Sequence, residues 1–83
     1  MEIVAYTNPN CGHCMTLKRL FRRAQVEYTD VVIGRDITAG QFMEKFPAAT
    51  GYPHVVIDGE VVGGLTETAK LFLDKGLVEA PKR

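Results

Sequence analysis

The chain has 83 residues, ten Lys and Arg against ten Asp and Glu, and two cysteines. That length fits one domain spanning residues 1–83, burying roughly 60–65% of the surface its unfolded chain exposes. The balanced charge excludes the strong positive field of a nucleic-acid binder, no apolar run approaches the ~20 residues of a membrane span, and a lone closely spaced cysteine pair excludes a disulfide-stapled scaffold.

Ile3 to Tyr6 is a short apolar run, the pattern of a buried strand. The stretch before it, Met1-Glu2, carries no basic leader, so no signal peptide is expected. A cytoplasmic protein follows as the expectation, and a reducing compartment suits a cysteine pair that cycles. Thr7-Asn8-Pro9-Asn10 reads as a loop. From Gly12 to Gln25 the pattern is helical. Leu17, Leu20, Phe21 and Ala24 fall at i, i+3, i+4 and i+7, with Lys18, Arg19, Arg22 and Arg23 on the other side. Cations near a helix C-terminus are favoured and usually solvated; a docking surface for an acidic partner is the secondary reading.

Glu27 to Ile33 reads as a second strand, ended by Gly34. Ile37 to Phe46 carries a second helical pattern, with Thr38 as its N-cap and Pro47 beyond its end. Thr50-Gly51-Tyr52-Pro53 is loop. His54–Ile57 and Glu60–Val62 flank Asp58-Gly59, a hairpin signal. Gly63-Gly64 breaks the chain, and Thr66 to Lys75 forms a third helix ending at Gly76. The order is β-α-β-α-β-β-α. The first βαβ unit requires a parallel pair and the closing hairpin an antiparallel one. The expected fold is α/β: a four-stranded mixed sheet with three helices on its two faces.

Cys11-Gly12-His13-Cys14 follows a strand and opens a helix, a context far more specific than a bare CxxC. The free N–H groups and dipole of a helix N-terminus favour an anion, and the thiolate is the nucleophilic form of cysteine. Cys14 lies three and seven residues before Leu17 and Phe21, so it points toward the buried stripe. Cys11 sits at the cap, outside that stripe. Cys11 is therefore the expected nucleophile and Cys14 the expected resolving thiol. His13, between them, either biases the thiolate electrostatically or is a solvated surface residue. Zinc is the competing role for the cluster, through Cys11, Cys14, His13 and His54. Structural zinc usually takes a second CxxC or paired histidines, and neither is present, so no metal site is expected.

The segments YTNPNCGHC (Tyr6–Cys14), YPHVVIDG (Tyr52–Gly59) and VVGGLTE (Val61–Glu67) together resemble the glutaredoxin family, over roughly Glu2 to Lys75. The compact size is most similar to bacterial and phage members with two active-site cysteines. The resemblance implies a thioredoxin-like fold with Pro53 in cis opposite the CxxC. It implies that the backbone of Tyr52 pairs with an extended substrate. It also implies that the turn Gly63-Gly64 leads to a helix start, at Thr66 and Glu67, that takes the γ-glutamyl end of glutathione, an anion held by free N–H groups. Thr66 serves equally as a plain helix cap. Glu67 suits the helix dipole and repels a ligand carboxylate, but could meet the ligand's amino group.

Three departures from the family pattern stand out. Gly12-His13 replaces the usual Pro-Tyr, looks like the disulfide-isomerase motif, and hints at a less reducing couple. Asn8 stands where many relatives carry Lys or Arg, removing a contact to the glycine carboxylate of glutathione; Lys45 is the candidate substitute. His54 follows Pro53 where Gln is common, and reads as a polar strand-edge residue.

The implied activity is reduction of protein disulfides or glutathione mixed disulfides, with electrons from glutathione as co-substrate and no tightly bound cofactor. Ribonucleotide reductase is a protein substrate by family analogy, and a monomer is expected. One alternative is a thioredoxin-like reductant fed by a flavoprotein reductase. Another is a metal or iron–sulfur carrier, although such relatives usually have a single active-site cysteine.

Overall fold

Alternation along Ile3–Thr7 sends Ile3 and Ala5 to one face of a strand and Val4 and Tyr6 to the other. Apolar residues on both sides demand cover on both sides. A computed structural model of the protein, which describes residues 1–78, shows how that cover is supplied. Strands β1 (Ile3–Thr7), β2 (Thr29–Val32), β3 (His54–Ile57) and β4 (Glu60–Gly63) form a single sheet in the order β2-β1-β3-β4. Three helices accompany it: α1 (Gly12–Ala24), α2 (Ala39–Lys45) and α3 (Leu65–Asp74). β1 pairs parallel with β2, setting Ala5 opposite Asp30, and antiparallel with β3, setting Tyr6 opposite His54. β3 and β4 form the closing antiparallel hairpin.

On one face Ile3, Ala5, Val55 and Ile57 pack under Leu17 and Phe21 of α1 and Phe72 of α3. The rings of Phe21 and Phe72 lie 5.6 Å apart, and both side chains are fully buried. Each contributes about 1.5–3 kcal/mol of hydrophobic stabilisation. On the other face Tyr6, Ile33 and Phe42 form a second cluster, joined by Val56, Phe46 and Tyr52. The mixed sheet, element order and two-sided cover agree with the expectation.

Boundaries differ in three places. β2 is shorter than residues 27–33: Glu27 is exposed, Tyr28 packs its ring 4.5 Å from Phe21, and Ile33 makes a separate bridge to Ile37. α2 begins at Ala39 because Thr38 caps it. Gln41 N–H donates to Thr38 Oγ1 at 3.0 Å, and Thr38 N–H donates to Gln41 Oε1 at 2.8 Å. That reciprocal box leaves Ile37 outside the helix. α3 starts at Leu65, with Gly64 as its cap.

Candidate active site

Cys11 is the N-cap of α1, in extended conformation. Its Sγ accepts a hydrogen bond from Cys14 N–H at 3.3 Å, and its thiol donates to the Tyr52 carbonyl at 3.6 Å. A cap side chain that accepts from the third helical N–H satisfies one of the orphan donors of the helix start. Here the accepting atom is sulfur, and a thiolate would accept more strongly than a thiol. The turn is set by Asn8, whose carbonyl accepts from Cys11 N–H at 3.2 Å and whose Oδ1 accepts from Asn10 N–H at 3.1 Å.

Cys11 is half-buried, whereas Cys14 is 2% exposed. Burial, aided by the hydrogen bond with Cys11, pushes the Cys14 thiol up to about 11. The pair is thus asymmetric: a reachable sulfur at the cap and a buried one behind it.

A cleft of about 520 Å³ opens beside this pair, and His13, Tyr52, Pro53, Gly63, Gly64, Thr66 and Glu67 all line it. Cys11 adjoins it through the Tyr52 carbonyl. The Tyr52–Pro53 peptide is cis. Gly63 adopts φ +123, a conformation that L side chains rarely adopt, and a Cβ there would lie 3.1 Å from Glu67 Cγ. Lys45 does not line the cleft. It ends α2, with its Nζ 5.9 Å from the centre of the Phe46 ring.

The reading of Thr66 as a helix cap is corrected. Gly64 holds that position, and Glu67 reaches back so that Gly64 N–H donates to its Oε1 at 2.7 Å. Gly64 has no side chain to answer with. The N–H groups of Leu65, Thr66 and Glu67 are consequently left without intrahelical acceptors. Thr68, not Thr66, is the buried threonine of α3, and its hydroxyl donates to the Gly64 carbonyl at 2.8 Å.

His54 is not a strand-edge residue. β3 is an interior strand, and His54 is 7% exposed, its ring centroid 4.6 Å from that of Phe46 and 5.4 Å from that of Phe42. Its Nε2 is buried without a hydrogen-bond partner, and burial holds its pKa below the ordinary histidine value.

A second, smaller cleft of about 310 Å³ lies against the cysteines, lined by Cys11 and Cys14 together with Thr7, Lys18, Asp30 and Arg35. Lys18 Nζ pairs with Asp30 Oδ2 at 3.0 Å, and the Thr7 hydroxyl donates to Asp30 Oδ1 at 2.6 Å. Sequence reasoning passes over this group. The signal available was the four-residue spacing from Cys14 to Lys18, which puts both on one side of the helix. Among the described residues no three His, Cys, Asp or Glu side chains are grouped to hold a metal ion.

The sequence model of glutaredoxins matches residues 3–62. The chain belongs to the glutaredoxin family. A curated relative, the mitochondrial glutaredoxin-2 of Pongo abelii, is 29% identical over 72 residues, covering 83% of this chain but 45% of the relative. The chain thus spans less than half the length of that glutaredoxin. Among solved structures, glutaredoxin 1 from Francisella tularensis, complexed with cacodylate, superposes with a TM-score of 0.74 at 27% identity, covering 92% of this chain and 95% of that one. A thioredoxin-like protein superposes with a TM-score of 0.69 at 32% identity, covering 92% and 99%. A buckwheat glutaredoxin–glutathione complex shares the fold, with a TM-score of 0.72 at 23% identity, covering 90% and 71%.

Proposed function

We propose that the protein is a dithiol thiol–disulfide oxidoreductase in which Cys11 attacks and Cys14 resolves. The observation that carries this reading is the placement of Cys11 Sγ at the cap of α1, within 3.3 Å of Cys14 N–H and 3.6 Å of the Tyr52 carbonyl. The Cys11 thiolate attacks a substrate disulfide, forms a mixed disulfide and releases one thiolate. The Cys14 thiolate then attacks Cys11 Sγ, expels the second substrate sulfur and leaves a Cys11–Cys14 disulfide. Two electrons pass from the protein to the substrate. Burial of Cys14 keeps it protonated until the first step has brought a disulfide within its reach.

Glutathione is the reductant that fits the larger cleft. The free N–H groups of Leu65, Thr66 and Glu67 suit its γ-glutamyl carboxylate, and the Tyr52 backbone beside Pro53 suits its extended peptide. The glutathione complex of the buckwheat relative supports this assignment. Protein disulfides, ribonucleotide reductase among them by family analogy, are the proposed electron acceptors, in a reducing compartment such as the cytoplasm and with the protein as a monomer. A thioredoxin-like role, fed by a flavoprotein reductase, is the second reading. It is favoured by the 32%-identical thioredoxin-like neighbour and by a larger cleft that, among the described residues, no Lys or Arg lines.

Trapping with a mixed-disulfide substrate tests the cysteine roles. Cys14→Ser should accumulate the adduct on Cys11, while Cys11→Ser should form none; an adduct on Cys14 reverses the assignment. Turnover coupled to glutathione and glutathione reductase separates the two electron sources. Amide shift mapping of Cys14→Ser glutathionylated at Cys11 should perturb residues 52–53 and 63–67, and shifts elsewhere refute the groove.

A further inference from the structure

Resolution asks a buried sulfur to become an anion. Cys14 is 2% exposed and burial pushes its thiol up to about 11, yet it must attack as a thiolate. A nearby positive charge would lower the cost of that anion. Among the described residues no Lys or Arg lines the larger cleft, whereas Lys18 and Arg35 line the smaller one. Lys18 lies one helical turn beyond Cys14 on the same side of α1, and the two line that cleft together.

We propose that Lys18 is the counter-charge for the Cys14 sulfur in the resolving step, and that Asp30 and Thr7 are positioning residues that hold it there. A free lysine on a helix would spread its ammonium over many rotamers. This one is fixed by the 3.0 Å contact to Asp30 Oδ2, and Asp30 is in turn fixed by the 2.6 Å bond from the Thr7 hydroxyl. Thr7 is buried at the end of β1, which feeds the cysteine loop, and Asp30 sits on the neighbouring β2, so the paired strands together aim the ammonium. The ionisable groups that line the cleft with Cys14 are Cys11, Lys18, Asp30 and Arg35. Arg35 also has a carboxylate partner, Asp36 at 3.0 Å, but it is not on α1 and its side chain is the more exposed, 67% against 44% for Lys18. The core behind, with Leu17, Val55 and Phe72, has the phenol of Tyr28, packed 4.5 Å from Phe21, as its one ionisable side chain among the described residues. Among the described residues Lys18 is therefore the cation placed to answer a charge on Cys14, and its positive charge adds to the Asn8 backbone contact in favouring that thiolate.

In the step itself the Cys14 thiol gives its proton to solvent in the cleft. The thiolate attacks Cys11 Sγ, the Cys11–Cys14 bond forms, the bond from Cys11 to the substrate sulfur breaks, and the departing thiolate takes up a proton. The Cys14 sulfur is oxidised and the substrate sulfur reduced, with no other reactant. The ammonium keeps its proton throughout.

This inference rests on Cys14 being the resolving thiol, and the test separates the two. Stopped-flow mixing with a symmetric aromatic disulfide, whose released thiolate is coloured, gives a first phase for attack by Cys11 and a second for resolution by Cys14. Lys18→Gln should slow the second phase about fivefold near neutral pH, the size of one unit-charge contact in a wet site. It should also move the pH profile of that phase to higher pH, so that the loss closes in alkaline solution. The first phase should keep its rate, and Lys18→Arg should restore the profile of the second. An unchanged second phase in Lys18→Gln, or equal slowing of both phases, overturns the role of Lys18. A missing second phase in the unsubstituted protein overturns the resolving role of Cys14 and this inference with it.

Discussion

His54 makes a stability prediction that can be worked through. In the folded protein its ring lies against Phe42 and Phe46, and burial holds its pKa below the ordinary value of 6.5. Well above that value the imidazole is neutral whether the chain is folded or not, so no penalty exists. Below it the unfolded chain takes up a proton that the folded chain refuses. Stability must then fall as the pH drops from the ordinary histidine value toward the depressed one, by up to ~1.4 kcal/mol per pH unit. Replacement His54→Leu removes this dependence. It also removes the unpaired Nε2, a group whose burial costs roughly 1–3 kcal/mol. The leucine protein should therefore be at least as stable as the original at about pH 7.5 and distinctly more stable at about pH 5.5. Urea denaturation of both proteins at several pH values above the carboxylate range measures the difference directly. His13 is solvent-exposed and present in both, so it cancels. Parallel stability curves, with no widening of the gap at acid pH, would refute the reasoning.

Three further substitutions probe the cysteine site. Gly64→Val places a Cβ 3.3 Å from Glu67 Oε1 and 3.5 Å from the Pro53 carbonyl; it should cost about 1 kcal/mol through the lost reach-back contact, seen in thermal melts, and raise KM for glutathione-containing substrates. Asn8→Lys should lower that KM by about fivefold, the worth of a charge-assisted contact in a partly wet site; an unchanged value in steady-state kinetics would remove Asn8 from the account. His13→Val should make the dithiol couple more negative by on the order of 30 mV, read from equilibrium with a glutathione redox buffer, and a shift of opposite sign would assign His13 no part in the poise.

What the residue pattern reveals depends on which force sets each feature. The roles of Cys11 and Cys14 follow from helical periodicity, because Leu17 and Phe21 fix which side of α1 is inside. The hairpin at Asp58-Gly59 is equally local, with both central residues at positive φ. Nothing local distinguishes a polar residue facing water from one roofed by another element, and the cover of His54 comes from Phe42 of α2 and Phe46 at the C-cap of that helix. The start of α3 was misplaced for a different reason. A glycine cap has no side chain to advertise it, and the Glu67 three residues later was the legible half of the signal. The Lys18–Asp30–Thr7 group depends on the register of the parallel β1–β2 pair, which no pattern within either strand specifies.

The position of β1 has a consequence for assembly. The first strand of the chain is an inner strand of the sheet, with Ile3 facing Ile57 and Tyr6 facing His54. The cysteine loop grows directly from its end, whereas the Tyr52 carbonyl that receives the Cys11 thiol comes with the distant hairpin. Such long-range pairings form late, since loop closure must precede them. A nascent chain thus carries both thiols well before the wall that aligns them exists. During synthesis the pair is exposed to oxidation without the groove that gives it selectivity, and the selectivity arrives only when β3 docks.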